Sequence, residues 1–424
     1  MSAASVAQAQ SPQQLAARLD ALKQQNDWRA AAAYAKQLPS PLTHEWVGVA
    51  ARVAFALGQL GEHAGALALF EKCYELEPSA RYAAAAAYQC YCQLLRQART
   101  AARRRGGHGG KSDALQDERS EADRQELREK FRAWTERALR HRPDDIKVLY
   151  RLGLFEAQVE AAHDKVALRA FARAIRLYGD LSEEQRRKRG DLRKYAHKAL
   201  YAAARSAFRL GRLALARRLV FRCLREDEST NDIEPVHKLT LAGKVLLAQG
   251  EHDHAERAFR KALDAKGPPK REYVFVLLAK VDAARGNIDS AIRWIEENIR
   301  PQRRTPPVWR LLGELELRRG DDGASHTALR NALAGDRSGR HLTLRLIGEL
   351  EERRGNLQAA ERAYEEALAF RARAFLREDP EVRAKLDAVR RARATRKERD
   401  RPGLAKASAP PAVSQEVPQR RRAR

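Results

Sequence analysis

The chain has 424 residues, 44% of them apolar and 6% aromatic, with 82 Lys and Arg against 56 Asp and Glu, a formal charge of +26. This length exceeds what one hydrophobic core fills, so several domains or an elongated array are required, and few aromatics beside abundant alanine argue for helix packing rather than a β core. The charge selects acidic partners: protein segments, nucleic acid or an anionic surface.

The opening residues, MSAASVAQAQSPQQLAARLD, carry no early positive cluster and no apolar core of signal-peptide length, and no run of 18 apolar residues follows, so a soluble, cytoplasmic chain is expected. Four cysteines, Cys73, Cys90, Cys92 and Cys223, form no CxxC and no Cys/His set at zinc spacing. They read as reduced thiols in helix interfaces, and no metal or other cofactor is implied.

Residues 12 to 38 read as a degenerate helix pair that caps the chain within a segment 1–45. From residue 46 a glycine-punctuated pattern begins: Gly61 is followed by Ala66, Phe70 and Pro78. Residues 81 to 141 read as one unit whose helices, 81–99 and 125–140, are parted by a basic, glycine-rich insertion at about 100–124. Within it GGHGGKS (Gly106 to Ser112) misses the phosphate-loop spacing, because Arg105 stands where the first glycine belongs and no strand precedes it. The next unit pairs a helix at 147–159 with Ala167, Phe171 and Ala174, across a turn two residues longer than the others.

Gly211 is followed by Ala216 and Cys223, Gly250 by Ala255, Phe259 and Ala262, and Gly286 by Ala291. LLGELELRRG (Leu311 to Gly320) then returns as LIGELEERRG (Leu346 to Gly355), displaced by 35 residues. The turn glycines 211, 250, 286, 320 and 355 are 39, 36, 34 and 35 apart. Ala-x3-Phe-x2-Ala puts three side chains on one helical stripe, and the glycine falls where a helix stops and reverses. Asp379-Pro380 opens a charged helix to about Glu398, and residues 400–424 read as a disordered basic tail. The repeats thus form two blocks, 46–179 and 180–374, followed by a capping helix, 375–399.

Residues 46 to 373 resemble the tetratricopeptide repeat, a 34-residue helix–turn–helix unit with W-x2-L-G-x2-Y, then A-x3-F, then P. Trp309, Leu312 and Gly313 match its opening, Gly243 and Gly348 its first glycine, and Ala360, Tyr364 and Ala367 its second helix. The closing proline is clear only at Pro78 and Pro143, and the first-helix tyrosine is not cleanly kept. The resemblance implies an all-α, right-handed superhelical solenoid of antiparallel helix pairs whose first helices line a concave groove.

Residues 186–225 hold 14 cations and one acid, Asp191, half the net charge of the chain. Lys198, Tyr201, Arg205 and Arg209 share one helical face, and in a tetratricopeptide-like unit they map to the groove. Lys147 and Tyr150 precede them; Lys244, Lys280, Arg310 and Arg345 follow, interrupted by Glu314 and Glu349. Arg218, Arg222 and Arg225 of the second helix read as a solvated face. No asparagine joins the groove set, so the lysine/asparagine carboxylate clamp of chaperone-binding relatives is not reproduced.

EHDH (Glu251 to His254) places its histidines two apart on a helix start, pointing away from each other, and His44-Glu45 lacks a second histidine, so no catalytic or metal set is expected. The sequence reading is a non-catalytic scaffold that binds an acidic protein segment in a basic groove, with sequence-tolerant binding of RNA or other single-stranded nucleic acid as the alternative.

Overall fold

The computed structural model describes residues 11–104, 112–159, 163–265, 271–336, 339–373 and 379–399, which hold twenty α-helices and no strand among the described residues. They fall into two compact units, residues 1–268 and 269–424.

In the first unit, α1 (Pro12–Gln24) and α2 (Trp28–Ala33) lie on α3 (Val47–Gln59), burying Leu15, Leu19 and Ala31 against Val49, Val53 and Ala56. The entry to α1 is fixed by a capping box between Ser11 and Gln14 with Pro12 in the first turn. Antiparallel pairs follow: α3 with α4 (His63–Leu76), α5 (Ala80–Arg104) with α6 (Ser112–His141), and α7 (Ile146–Gln158) with α8 (Asp164–Gly179). A short α9 (Glu183–Lys188) leads to α10 (Gly190–Arg209) and α11 (Leu213–Glu226), then α12 (Pro235–Ala248) and α13 (His252–Asp264). The second unit pairs α14 (Arg271–Arg285) with α15 (Ile288–Asn298), α16 (Pro306–Arg319) with α17 (Asp322–Gly335), and α18 (Arg340–Arg353) with α19 (Leu357–Arg373), and ends in α20 (Pro380–Arg399).

One contact recurs inside the pairs. A small residue of the first helix lies beneath a large side chain of the second: Gly153 under Phe171, Gly243 under Phe259, Gly313 under Leu329 and Gly348 under Tyr364. A Cβ at Gly243 would stand 2.4 Å from the Phe259 ring, so the two backbones approach to a distance that only glycine permits. Between Gly153 and Phe171 the chain is two residues longer than between Gly243 and Phe259, yet the contact is the same. Six of the turns reverse through a left-handed glycine, as at Gly250 (φ 79°) and Gly320 (φ 101°).

Three residues beyond the close-approach position (Gly153, Ala279 and Gly348), several first helices carry an acid that ties the turn. Glu156 meets His163 at 3.0 Å, Asp282 accepts from Ser290 and Trp294 at 2.7 and 2.9 Å, and Glu351 accepts from Asn356 at 2.8 Å. Burial pushes the Glu316 carboxyl up despite Arg319 2.7 Å away.

The α5/α6 pair is longer than the sequence pattern marks, because both arms continue as helix toward the insertion; the glycine-rich stretch 105–111 lies outside the described residues. Phe131 and Trp134 of α6 pack with Tyr82, Ala86 and Cys90 of α5, and the Trp134 indole N–H donates to Glu71 at 3.2 Å. At the far end, α20 lays Val382, Leu386 and Val389 on Ala360, Tyr364 and Ala367 of the last pair. Arg390 pairs with Glu361 and Glu365, and Lys385 with Glu349, around that seam. Residues 400–424, the sequence-predicted tail, lie outside the described residues.

Gly243→Ala is expected to cost about 1–3 kcal/mol, since the ring of Phe259 must move. Gly190→Ala, where open space surrounds the site, should stay within about 0.5 kcal/mol of the parent. Urea unfolding followed by circular dichroism measures both; equal effects would show that the close approach does not control stability.

Candidate functional site

The first helices of the first unit share a face on which aromatic rings and cations alternate. Between α5 and α7, the Arg151 guanidinium stands 4.1 Å from the centre of the Tyr88 ring. Between α7 and α10, Lys147 lies 5.5 Å over Tyr195, and Tyr150 meets Tyr195 edge-on at 5.7 Å. Along α10, Arg205 stands 5.9 Å from the Tyr201 ring, which in turn leans on His237 of α12 at 6.5 Å. The contacts of Arg151, Lys147 and Arg205 lie in the range where a cation is attracted to an aromatic face. Burial, with Tyr195 beside it, pushes the Tyr150 hydroxyl up to about 12, so this ring is held neutral within the strip.

Of the sequence-predicted groove residues, the structure brings Lys147, Tyr150, Tyr201 and Arg205 into this strip, with Lys198 on the same helix. Several of the charges are already engaged within the chain. Lys147 pairs with Asp191, and Arg209 makes a two-pronged contact with Asp164, its Nε donating at 2.8 Å. In the second unit Arg310 pairs with Asp336, and Arg345 with Glu381 at 3.5 Å and Glu349 at 3.8 Å. Lys280 is exposed and Lys244 half-buried; both keep electrostatic contacts of their own. Among the described residues, Lys198 and Arg205 hold no carboxylate within 4 Å. The sequence missed Tyr88, Arg151 and Tyr195. Tyr88 belongs to the unit whose insertion hides the repeat frame, and Tyr195 precedes the usual start of a first helix.

The 14 cations of residues 186–225 divide in the same way. Arg187 and Lys188 pair with Glu183 and Glu184 on α9, Arg193 with Asp232, Arg217 with Glu251 and Arg222 with Glu226. Arg186 instead donates to the backbone carbonyls that end α8.

Beneath the strip, the loop between α11 and α12 is closed by a buried ion network absent from the sequence reading. Lys238 donates to the Asp227 carboxylate at 2.7 Å and to its carbonyl at 2.9 Å, with both residues almost fully buried. Thr230 and the amides of Asp232 and Ile233 also donate to Asp227, at 2.8, 2.6 and 2.9 Å. His197 Nδ1 lies 2.9 Å from Asp232 and 3.2 Å from Asp227. His197, Asp227 and Asp232 have ligand atoms close enough to share a cation. Lys238 and Arg193 supply the positive charge there, so the donor set fits a loop clasp rather than a metal centre.

Elsewhere, His254 reaches only Glu251, at 3.5 Å, and Glu251 is held by Arg217. The thiols of Cys73, Cys90 and Cys223 are buried and pushed up to about 12 by that burial, which makes them packing groups, not nucleophiles. No described helix is long and apolar enough to cross a membrane.

Paired antiparallel helices, left-handed turn glycines and a small residue beneath each second-helix anchor together define a tetratricopeptide-like helical repeat protein. Neither a protein-family model nor a curated protein sequence matches the chain. Among solved structures, a tetratricopeptide repeat protein from Parabacteroides merdae aligns over 71% of this chain and 99% of its own, at 16% identity and TM-score 0.49. Pseudomonas aeruginosa pilF aligns over 58% and 88%, at 13% identity and TM-score 0.39. The human IFIT1 dimer with PPP-AAAA aligns over 82% and 79%, at 17% identity and TM-score 0.41. Likeness at this level transfers no ligand to this chain.

The buried clasp makes a pH prediction. Burial alone would raise the Asp227 carboxyl, but Lys238, Thr230 and the two amides outweigh it and hold it below the usual 3.8. Asp20, Asp164 and Asp191 are likewise held low by Arg52, by Arg209 with Ser206, and by Lys147. A depressed carboxyl stabilises the fold above its unfolded value and loses that contribution as pH falls through its folded value. Denaturant midpoints should therefore drop below about pH 4. Asp227→Ala, which strands the Lys238 ammonium, is expected to cost about 3–5 kcal/mol at neutral pH and to flatten part of that acid dependence.

Proposed function

We propose that the chain is a non-catalytic scaffold whose first unit grips an acidic segment of a partner protein along its first-helix face. The observation that carries this reading is the series of tyrosine–cation contacts from Tyr88 to His237, beside Lys198 and Arg205, which hold no carboxylate among the described residues. Lys and Arg offer charge-assisted bonds to carboxylates, and the tyrosines offer apolar surface with little rotamer entropy to lose. Lys147 and Arg209 orient the site while they bind Asp191 and Asp164; Lys244 extends its charge. In the second unit, Lys280 is the most open of the sequence-predicted positions, whereas Arg310 and Arg345 serve the chain's own carboxylates.

Alternation of cations and rings also suits single-stranded nucleic acid, with phosphates on the cations and bases on the rings. The peptide reading is preferred because the rings are partly occupied. Arg151 lies over Tyr88, and Tyr150 and Tyr195 are set edge to face within the strip, so little ring face is offered for a base.

Fluorescence anisotropy of the full chain with a labelled Asp/Glu-rich peptide, and separately with a labelled single-stranded RNA, tests this across a salt series. The peptide should bind, weaken with salt, and lose about tenfold or more in Lys198→Glu/Arg205→Glu. RNA binding that collapses in that variant while the peptide fails to bind would replace this reading with the nucleic-acid one. Loss of neither would remove the first-helix face as a site.

A further inference from the structure

A second, separate surface lies on the other helices of the same unit. α8 and α11 both pack on α10, and between them runs a groove of about 570 Å³ with Ala203 of α10 in its floor. Leu168 and Ile175 of α8 face Leu215 and Leu219 of α11 across it. These positions recur at three- and four-residue intervals, so each helix contributes an apolar stripe along the groove.

The rim is entirely cationic. Lys165, Arg169 and Arg176 stand on the α8 side, and Arg212, Arg218 and Arg222 on the α11 side, with no carboxylate lining the groove among the described residues. Arg222 is paired with Glu226. The other five are exposed and, among the described residues, have no ion pair within 4 Å, unlike Arg209, Arg310 and Arg345, which are held by Asp164, Asp336 and Glu381. An array of cations without counter-charges costs self-repulsion in the free protein, which an anionic occupant relieves.

We infer that this groove receives a short amphipathic α-helix of a partner protein, with an apolar stripe and acidic flanks. A helix laid between two others is the packing that fills such a trough: its apolar side chains drop between the stripes of α8 and α11, and its flanking carboxylates meet the two cationic rims. Nucleic acid fits less well, because no aromatic side chain lines the groove and a phosphate backbone would lie against leucines. A membrane surface fits less well, because the apolar side chains sit in the floor, below the charged rim, where a flat bilayer does not reach.

The probe is a fluorescein-labelled peptide of about four helical turns with leucines at i, i+3, i+4 and i+7 and glutamates on both flanks, titrated with the full chain in anisotropy. Saturable binding is expected, reduced about tenfold or more by Arg169→Glu/Arg218→Glu and also by Ala172→Trp. Ala172 is an exposed groove residue, so its indole fills the trough while the charge is unchanged. Lys198→Glu/Arg205→Glu should leave this peptide's affinity within about twofold, which separates the groove from the first-helix face. The inference is overturned if a scrambled peptide of equal composition binds as tightly, or if Ala172→Trp, folded by circular dichroism, binds unchanged. It is equally overturned if single-stranded RNA or phosphatidylserine vesicles displace the peptide at lower concentration than unlabelled peptide does.

Discussion

Close approach of paired helices, glycine beneath a bulky side chain, is the constraint from which the rest of this molecule follows. With no Cβ at Gly153 or Gly243, the second helix settles with Phe171 or Phe259 directly on the first-helix backbone. That depth fixes the rotation of the first helix about its axis, and the rotation decides which residues face the strip and which face the core. Lys198, Tyr201 and Arg205 share a face because Ala204, the small residue of α10, faces inward with Ala216 and Val220. The tyrosine–cation strip is thus a by-product of packing, set by the residues that never reach it.

Charge is the second organising quantity, and its effect differs from its sum. A net +13 over residues 186–225 suggests a uniformly basic region. Folding brings Asp164, Asp232 and Glu251 to Arg209, Arg193 and Arg217, and turns part of that excess into intramolecular structure. Among the described residues, Lys198 and Arg205 on the first-helix face, Arg212 and Arg218 on the α11 rim of the groove, and Arg189, Lys194 and Arg225 outside both keep no ion pair within 4 Å. Buried pairs such as Asp227 with Lys238 contribute definition more than stability, since both ions must be desolvated before they attract.

The fold was legible because its signals are local and repeated. Turn glycines at 34 to 39 residue intervals and the Ala-x3-Phe stripe need only one helix pair to be read, and the chain supplies several. The site was legible in part: Lys147, Tyr150, Tyr201 and Arg205 follow from helical spacing within a unit. Asp164, Asp336 and Glu381, which reach Arg209, Arg310 and Arg345 from other elements, lie 45, 26 and 36 residues away in sequence, where no periodicity points. Tyr88 was hidden because the long α5/α6 arms displace its repeat from frame, and the Asp227 clasp because it joins a loop to two helices. Arg218 and Arg222, legible as an outward face, form one edge of a trough only when α8 is set beside α11.

The last helix has a consequence for how such a chain can be lengthened. α20 takes the place that the first helix of another repeat would occupy, with its apolar stripe on α19 and its Lys385 and Glu381 reaching α18. Its last two turns, from Arg391 to Lys397, are exposed all round and rich in arginine, and Arg393 there pairs back with Glu361 of α19. The apolar edge of the last pair is therefore already covered, and an extra helix pair laid on that edge would have to displace α20 from the seam or enter the chain ahead of Pro380.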